Sequence, residues 1–225
     1  MITGSNLELT IDDLQRSNTI ETVVGSGRNV IVHLHLKELD TLLEQFTRLD
    51  LFYKIKDIGT HILYEVDDAI MSYVTLEDIY ILMRSTDVDK APSVESTLCQ
   101  MVTIAYIRFW NELKREECSS LFDAVFNAEA CNINTGYVQN FFRAKHQVCQ
   151  RRYKEFLLDS ALLCLESDNI SSEEADTLLE NNGMFSKDFP KELYNGYWTS
   201  KSSEVKAGYL IDYKCFSDIV ESMLY

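Results

Sequence analysis

LCQMVTIAYIRFWNEL, residues 98–113, is apolar on almost every side when it is drawn as an α-helix. A helix without a polar face has to be covered by neighbouring elements on both flanks. Residues 156–165 have the same character. Two such segments predict a middle layer of helices that lies between two outer layers.

The rest of the chain also favours helices, because only two prolines and eight glycines occur among its 225 residues. The predicted fold class is all-α, a three-layer antiparallel helical sandwich of about 9 to 11 helices with room for one short strand or hairpin. We expect a polar N-terminal segment at 1–27 and a single helical domain at 28–225. Residues 30–36 fit either a short strand or the start of a helix. The predicted helices cover residues 36–55 (ended by Gly59), 65–72, 75–84, 94–114, 138–165, a segment after Ser171, a segment after Pro190 and 207–224, with a polar loop at 127–136.

The formal net charge of −15 opposes contact with nucleic acid or an anionic membrane, since both depend on clustered Lys and Arg. Six cysteines without a Cys-x-x-Cys pair, and no signal peptide, indicate free thiols in a reducing compartment. No apolar run reaches the roughly 18 residues that a membrane span needs. We therefore expect a soluble nuclear or cytoplasmic protein. One basic run is interpreted as a solvated helical face, and it consists of Arg143, Lys145, Arg151, Arg152 and Lys154.

Carboxylates on two consecutive predicted helices are the first candidates for chemistry. Glu65, Asp68 and Glu77 are arranged broadly like the carboxylates that hold Mg²⁺ in all-helical enzymes acting on diphosphates. The preference of acidic residues for helix N-termini explains the same pattern.

Two pairs of histidine and cysteine residues are further candidates. His146 and Cys149 share a helical face, where a thiol packed in a helix interface is the ordinary interpretation. His33 and His35 point the same way only in a strand, and two histidines without a Cys or Asp companion make a poor metal site. Neither a metal site nor a cofactor is predicted.

Several short motifs follow one another between residues 36 and 224. They are LLEQFTRL (42–49), residues 76–84 with the turn at 88–95, Phe109-Trp110 with residues 113–116, residues 153–158 with the Ser-Ser-Glu-Glu-Ala element after them, KELYNGY (191–197) and residues 207–224. As an ordered set they resemble the ligand-binding domain of nuclear hormone receptors, in particular the divergent nematode receptors. The matches correspond to the first, third, buried central, eighth, ninth and tenth helices of that family.

The resemblance implies a non-enzymatic domain in transcriptional regulation that binds an apolar small molecule, protein partners such as transcriptional coregulators, or both. Arg84 and Lys90 are the implied partner-binding residues near the third helix. The implied ligand-binding residues are Ile79, Met83, Val102, Tyr106, Phe109 and Phe216. The last helix is the implied surface of a homo- or heterodimer, with Val205, Tyr209, Tyr213, Phe216 and Val220 on it.

Two other hypotheses remain open at this stage. An acidic all-helical adaptor with a solid core would recruit partners through surface grooves. An all-helical, metal-dependent hydrolase would use Glu65, Asp68 and Glu77. All three hypotheses depend on a helical fold.

Overall fold

The computed structural model describes residues 28–84, 94–115, 126–165, 172–181, 190–201, 207–209 and 220. Within these ranges the chain forms six β-strands, six α-helices and a 3-10 turn at Thr135–Tyr137. The strands are Arg28–Leu36 (β1), Ala69–Val74 (β2), Asp78–Met83 (β3), Phe126–Asn134 (β4), Tyr197–Ser200 (β5) and Ala207–Tyr209 (β6). The helices are Leu39–Leu43 (α1), Arg48–Glu65 (α2), Val94–Arg115 (α3), Val138–Leu165 (α4), Ser172–Asn181 (α5) and Lys191–Asn195 (α6).

The six strands form one antiparallel sheet in the order β4-β1-β3-β2-β5-β6. A tight turn joins β2 to β3. In it the amide of Thr75 donates to the carbonyl of Asp78 at 2.8 Å, and the amide of Asp78 donates to the Thr75 hydroxyl at 3.1 Å. The turn therefore holds Glu77 and Asp78 at the end of the hairpin, beside the end of β1.

Side chains of β1 alternate between the two faces of the sheet. Val32 and Leu34 are fully buried and pack in the hydrophobic core that α2 and α3 cover. Ile31 lies on the opposite face, in the core that α4 covers with Val138 and Phe142. The same alternation directs the two histidines of β1 to the α4 face. The sheet is thus covered on both sides, and β2 and β3 are buried at every position.

The all-α prediction is wrong, because a mixed α/β fold with a central sheet replaces the predicted helical sandwich. Residues 69–83, predicted to belong to two helices, form the β2–β3 hairpin. Residues 127–134, predicted as part of a polar loop, form most of β4. Residues 207–209, predicted to begin the last helix, form the edge strand β6. Residues 30–36, where strand and helix were both open, belong to β1.

The helix that carries residues 98–113 is an outer element and not a middle layer. Its bounds agree with the prediction, but one flank is open to solvent. Tyr106 is 43% exposed and Ile107 is 51% exposed, whereas Met101 and Phe109 on the other flank are buried against the sheet. The premise of a three-layer helical stack is therefore wrong.

Gly59 lies inside α2 and does not end a helix. A Cβ atom at this position would lie 2.7 Å from Cγ2 of Val74 and 2.8 Å from Oγ of Ser72, so the absent side chain lets α2 approach the sheet. The helix begins instead after Thr47, whose hydroxyl accepts from the amide of Asp50 at 3.2 Å. The predicted helix over 36–55 is therefore replaced by the end of β1, the short α1 and the first part of α2.

Three other helical predictions are confirmed: α3, α4 and α5 match the segments expected at 94–114, at 138–165 and after Ser171. The helix expected after Pro190 is shortened to α6, because Tyr197 and Trp198 belong to β5. Among the described residues, no helix combines the length and apolar character needed to cross a bilayer. The boundary proposed at residue 27 stays a prediction.

Candidate functional site

Two histidines and an aspartate meet on the α4 face of the sheet. The antiparallel register of β1 and β3 sets His35 opposite Asp78 and His33 opposite Tyr80. Nε2 of His33 lies 2.7 Å and Nδ1 of His35 lies 2.8 Å from the same oxygen, Oδ1 of Asp78. Because residues i and i+2 of a strand share a face, one carboxylate reaches both rings.

Asp78 is buried, with 3% of its surface exposed. Its other oxygen, Oδ2, accepts from Nη1 of Arg152 at 2.8 Å, and the same guanidinium donates to Oε2 of Glu77 at 3.1 Å. Burial acts to raise the pKa of Asp78, but the hydrogen bonds from His33 and His35 and the charge of Arg152 outweigh it and lower that pKa. The carboxylate is therefore ionised at neutral pH.

His33 is enclosed by further partners. Its Nδ1 lies 2.8 Å from Oε1 of Glu129 on β4, and its ring stacks on Tyr80 with centroids 4.5 Å apart. A carboxylate oxygen can only accept, so the contacts to Asp78 and Glu129 are both hydrogen bonds when both ring nitrogens carry protons. The hydrogen bond to Asp78 raises the pKa of His35, although partial burial opposes the rise. The Asp78 carboxylate thus stabilises positive charge on the His35 ring.

An open cleft begins beside Asp78, between the hairpin turn and α4. Arg48, Glu77, Arg152, Tyr153 and Phe156 contribute to its wall. The guanidinium of Arg48 lies 3.6 Å from the centre of the Phe156 ring. Two cationic groups and two aromatic rings therefore face one cleft. The remaining lining residues are Thr75, Leu76, Cys149 and Leu193.

The interpretation of the basic run of α4 as a solvated face holds in part: Arg143, Arg151 and Arg152 are exposed, whereas Lys145 and Lys154 are half-buried. Lys145 and Arg152 are seven residues apart, about two helical turns. The Arg152 guanidinium reaches Asp78, although 45% of its side chain is exposed. Nζ of Lys145 lies 5.2 Å from the ring centre of Tyr80, and burial lowers the pKa of this lysine. Arg143 and Arg151 lie on the exposed side of the helix.

Cys149 and His146 are turned toward α6. Sγ of Cys149 donates to the carbonyl of Leu193 at 3.5 Å, and Nε2 of His146 lies 3.2 Å from Oδ1 of Asn195. Burial raises the pKa of the Cys149 thiol to about 12 and lowers the pKa of His146. A protonated thiol is a weak nucleophile, so the geometry supports the packing interpretation of this pair.

The donor atoms of His33, His35 and Asp78 all lie within 4.8 Å of one another, and no other group of described residues converges in this way. Glu65, Asp68 and Glu77, the carboxylates considered in the sequence, are not brought together. Glu65 pairs with Arg108 at 2.8 Å, and Asp68 precedes β2, whereas Glu77 follows its far end. A six-residue strand separates the two ends by roughly 17 Å.

The six residues predicted to bind a ligand are dispersed. Ile79, Met83 and Phe109 are buried in the core under α2 and α3, Val102 packs against that core, and Tyr106 is exposed on α3. Phe216 lies outside the described residues. A ligand role for these positions stays untested, and none of the five described ones lines the cleft.

The predicted partner-binding and dimer residues are only partly described. Arg84 is exposed at the end of β3, where its amide donates to the carbonyl of Asp68 at 2.8 Å. Tyr209 pairs with Tyr197 through β6, and Val220 is buried in the core under α4. Lys90, Val205, Tyr213 and Phe216 lie outside the described residues. The dimer surface stays a prediction.

Sequence reasoning missed Asp78 as the companion of the two histidines, because 43 residues separate it from His35. It also missed the ion pair between Arg152 and Asp78. The available signal was the β-branched and aromatic content of 69–83, which is typical of strands. A hairpin there would have placed a carboxylate beside a strand that carries His33 and His35.

No family model and no curated protein matches the sequence. The fold, however, is similar to that of solved tRNA(His) guanylyltransferase proteins. A bacterial tRNA(His) guanylyltransferase-like protein in complex with ATP gives a TM-score of 0.73 at 16% identity, over 96% of this chain and 99% of that chain. A bacterial tRNA(His) guanylyltransferase-like protein in complex with GTP gives a TM-score of 0.61 at 15% identity, over 96% of this chain and 99% of that chain. The tRNA(His) guanylyltransferase of Saccharomyces cerevisiae gives 0.60 at 9% identity, over 85% and 93%.

These structures overturn the resemblance to nuclear-receptor ligand-binding domains. The predictions of transcriptional regulation through a lipophilic ligand or coregulators, and of a helical adaptor, lose their basis with the all-α fold. The prediction that the chain is not an enzyme rested on the same all-α fold, and it is contradicted at the level of the fold, because the structures that share the observed fold carry the name of a transferase. At these identities the comparison establishes the fold: the chain has the architecture of guanylyltransferase-like proteins.

Proposed function

We propose that the chain is a nucleotidyltransferase-like enzyme that binds a nucleoside triphosphate in the cleft beside Asp78. Two structures that share the fold are described as complexes with ATP and with GTP. The observation that carries the proposal is the convergence of Arg48, Arg152 and two aromatic rings on one cleft, directly beside a buried carboxylate.

The cleft offers complementary groups for each part of a nucleotide. The guanidinium groups of Arg48 and Arg152 suit phosphate oxygens, which they can bind through two parallel N–H groups. Tyr153 and Phe156 provide an aromatic wall of the kind on which bases stack. Arg48 lies at the wall of the cleft with its guanidinium over the Phe156 ring.

In nucleotidyl transfer the oxygen of an acceptor attacks the α-phosphorus, the bond to the β-phosphate oxygen breaks, and pyrophosphate leaves. Positive groups stabilise the negative charge that spreads over the phosphate oxygens in the transition state. Arg152 and Lys145 are the cations of α4 that face the site. A divalent cation, when bound, supplies further positive charge to the phosphates, and the donors that fit one are those of His33, His35 and Asp78.

The net charge of −15 disfavours extended contact with a polyanion. We therefore propose a free nucleotide, and not a tRNA, as the ligand of the cleft.

The test is calorimetric titration of the protein with ATP and GTP, with Arg152→Gln and its neighbour Arg151→Gln as a matched pair. Arg151 is 66% exposed and contacts Glu155 at 3.9 Å, whereas Arg152 faces the cleft. Hydrogen bonds to charged groups contribute about 1.5 to 3 kcal/mol, so Arg152→Gln is expected to weaken binding by about 10- to 150-fold. Arg151→Gln is expected to bind like the unmodified protein.

Transfer itself is measured with ATP or GTP labelled at the α-phosphate, by release of pyrophosphate and by incorporation of label into an acceptor. Failure to bind either nucleotide at millimolar concentration would overturn the proposal. Equal weakening by the two arginine variants would show that the cleft is not where the nucleotide binds.

A further inference from the structure

We propose that His33, His35 and Asp78 form a binding site for a single first-row transition-metal ion such as Zn²⁺, and that this site discriminates against Mg²⁺. The inference concerns the cation of the site in the proposed function, but it is tested without nucleotide. Three observations support it: the proximity of the donor atoms, the hydrogen-bond partners of His33 and Asp78, and the partial exposure of His35.

The three donor atoms lie close together, all within 4.8 Å of one another. Nε2 of His33 and Nδ1 of His35 lie 2.7 and 2.8 Å from Oδ1 of Asp78. Ligand atoms about 2.1 Å from one tetrahedral ion lie about 3.4 Å apart. Separation of the rings from the carboxylate by about 0.6 Å would therefore admit an ion. His35 has 39% of its side chain exposed, which leaves room for this movement.

The groups behind the donors are those that orient metal ligands. A histidine that binds a metal through one nitrogen usually donates its other N–H to a carboxylate or carbonyl. Nδ1 of His33 has such a partner in Oε1 of Glu129 at 2.8 Å. The second oxygen of Asp78 is fixed by Arg152 at 2.8 Å, so Oδ1 is left for the ion. With a metal on Nε2 of His33, Nδ1–H would donate to Glu129.

Donor chemistry selects the class of ion. Mg²⁺ prefers an octahedral shell of oxygen ligands, whereas imidazole nitrogens suit Zn²⁺, Co²⁺ and Ni²⁺. Two imidazoles and one carboxylate are a three-ligand set that leaves a fourth position open, as in catalytic zinc sites. The partly exposed side chain of His35 leaves this fourth position accessible from solvent.

The experiment measures metal binding by the whole chain in the absence of nucleotide. The protein is stripped with a chelator, dialysed, and titrated with Zn²⁺ in a calorimeter and with Co²⁺ in a visible spectrophotometer. One equivalent of Zn²⁺ should bind, and Co²⁺ should produce the absorption of a four-coordinate complex. A hundredfold excess of Mg²⁺ should not displace either ion.

Variants locate the site. His35→Gln should abolish the Co²⁺ spectrum, and Glu129→Gln should weaken Zn²⁺ binding by about 10- to 100-fold, the usual effect of removing such a partner. Glu129 has a side chain that is 66% exposed, so its replacement should leave the fold intact even if a change at Asp78 does not. The matched control is His61→Gln on α2, which packs on the opposite face of the sheet.

The outcomes separate this inference from the proposed function. Absence of stoichiometric Zn²⁺ binding, retention of the Co²⁺ spectrum in His35→Gln, or displacement by Mg²⁺ would each overturn the metal site, whether or not ATP binds. If Zn²⁺ binds as described and ATP does not, the metal site stands and the nucleotide proposal falls. Equal weakening by His61→Gln would also overturn the assignment.

Discussion

Gly196, which joins α6 to β5, has φ +67° and ψ −179°, a region of backbone space that is essentially reserved for glycine. Gly196→Ala would therefore cost about 1 to 3 kcal/mol in backbone strain. The new Cβ would also lie 2.6 Å from Oη of Tyr73 and 2.7 Å from its Cε2. Tyr73 is fully buried, so its ring has little room to retreat.

Displacement of the ring breaks a hydrogen bond. The hydroxyl of Tyr73 donates to the carbonyl of Asn195 at 2.9 Å, and a buried acceptor left without its donor costs about 1 to 3 kcal/mol. The two effects together predict a loss of about 2 to 6 kcal/mol in the free energy of unfolding. The free energy of unfolding of a domain is typically about 5 to 15 kcal/mol. The variant should therefore keep only part of the unfolding free energy of the unmodified protein.

Urea unfolding followed by circular dichroism measures this loss. Gly136→Ala is the control, because a Cβ there meets no atom within 4 Å and the change should stay within about 0.5 kcal/mol. A double-mutant cycle with Tyr73→Phe tests the mechanism. The double variant should be less destabilised than the sum of the single variants, because the alanine already breaks the bond to Asn195. Equal midpoints for Gly196→Ala and Gly136→Ala would refute the reasoning.

Two further predictions concern titrating groups. The pKa of Asp78 is lower in the folded state than its ordinary value of 3.8, so its ionised form stabilises the fold above about pH 4, and that contribution is lost as the pH falls through the folded pKa. With a chelator present to keep the site free of metal, the unfolding free energies of the unmodified protein and of Asp78→Asn are compared at pH 6 and pH 3. Their difference should be smaller at pH 3. A constant difference would contradict the lowered pKa of Asp78. With a pKa of about 12, Cys149 is about one part in ten thousand thiolate at pH 8. Iodoacetamide at pH 8 should therefore modify the exposed Cys99 well before Cys149, as read by peptide mass spectrometry, and equal rates would show that the buried environment of Cys149 is wrong.

The sequence predicted the long helices because their pattern is local. Both α3 and α4 run for more than five turns without a proline or glycine, and segments of this length favour a helix over a strand. The β2–β3 hairpin escaped this reasoning because both of its faces are buried, so the apolar–polar alternation that marks a strand is absent. Short apolar runs of this kind fit helix and strand equally well by periodicity. Because this hairpin was predicted to be helical, the fold class was predicted to be all-α.

The candidate site was not predicted, because His33 and His35 were interpreted as a poor metal site without a third companion. The sequence showed that His33 and His35 share a face only in a strand, and β1 meets that condition. Their partner could not be found by spacing, because Asp78 reaches them through the register of β1 with β3 and not through the local chain. Arg152 arrives from a third element, about 74 residues beyond Asp78. Tertiary pairing, which a single sequence does not display, assembles the cluster.

Because β1 pairs with a strand on each of its edges, few insertions or deletions in β1 are compatible with the fold. Deletion of one residue inside the strand would invert its phase, so that Val32 and Leu34 would replace the imidazoles beside Asp78 while the imidazoles entered the core under α2 and α3. A single deletion would therefore disrupt both the hydrophobic core and the histidine–aspartate cluster. Point substitution, such as exchange of one ligand for another at positions 33 and 35, is then the open evolutionary route, and the strand length is expected to stay fixed among descendants of this sequence.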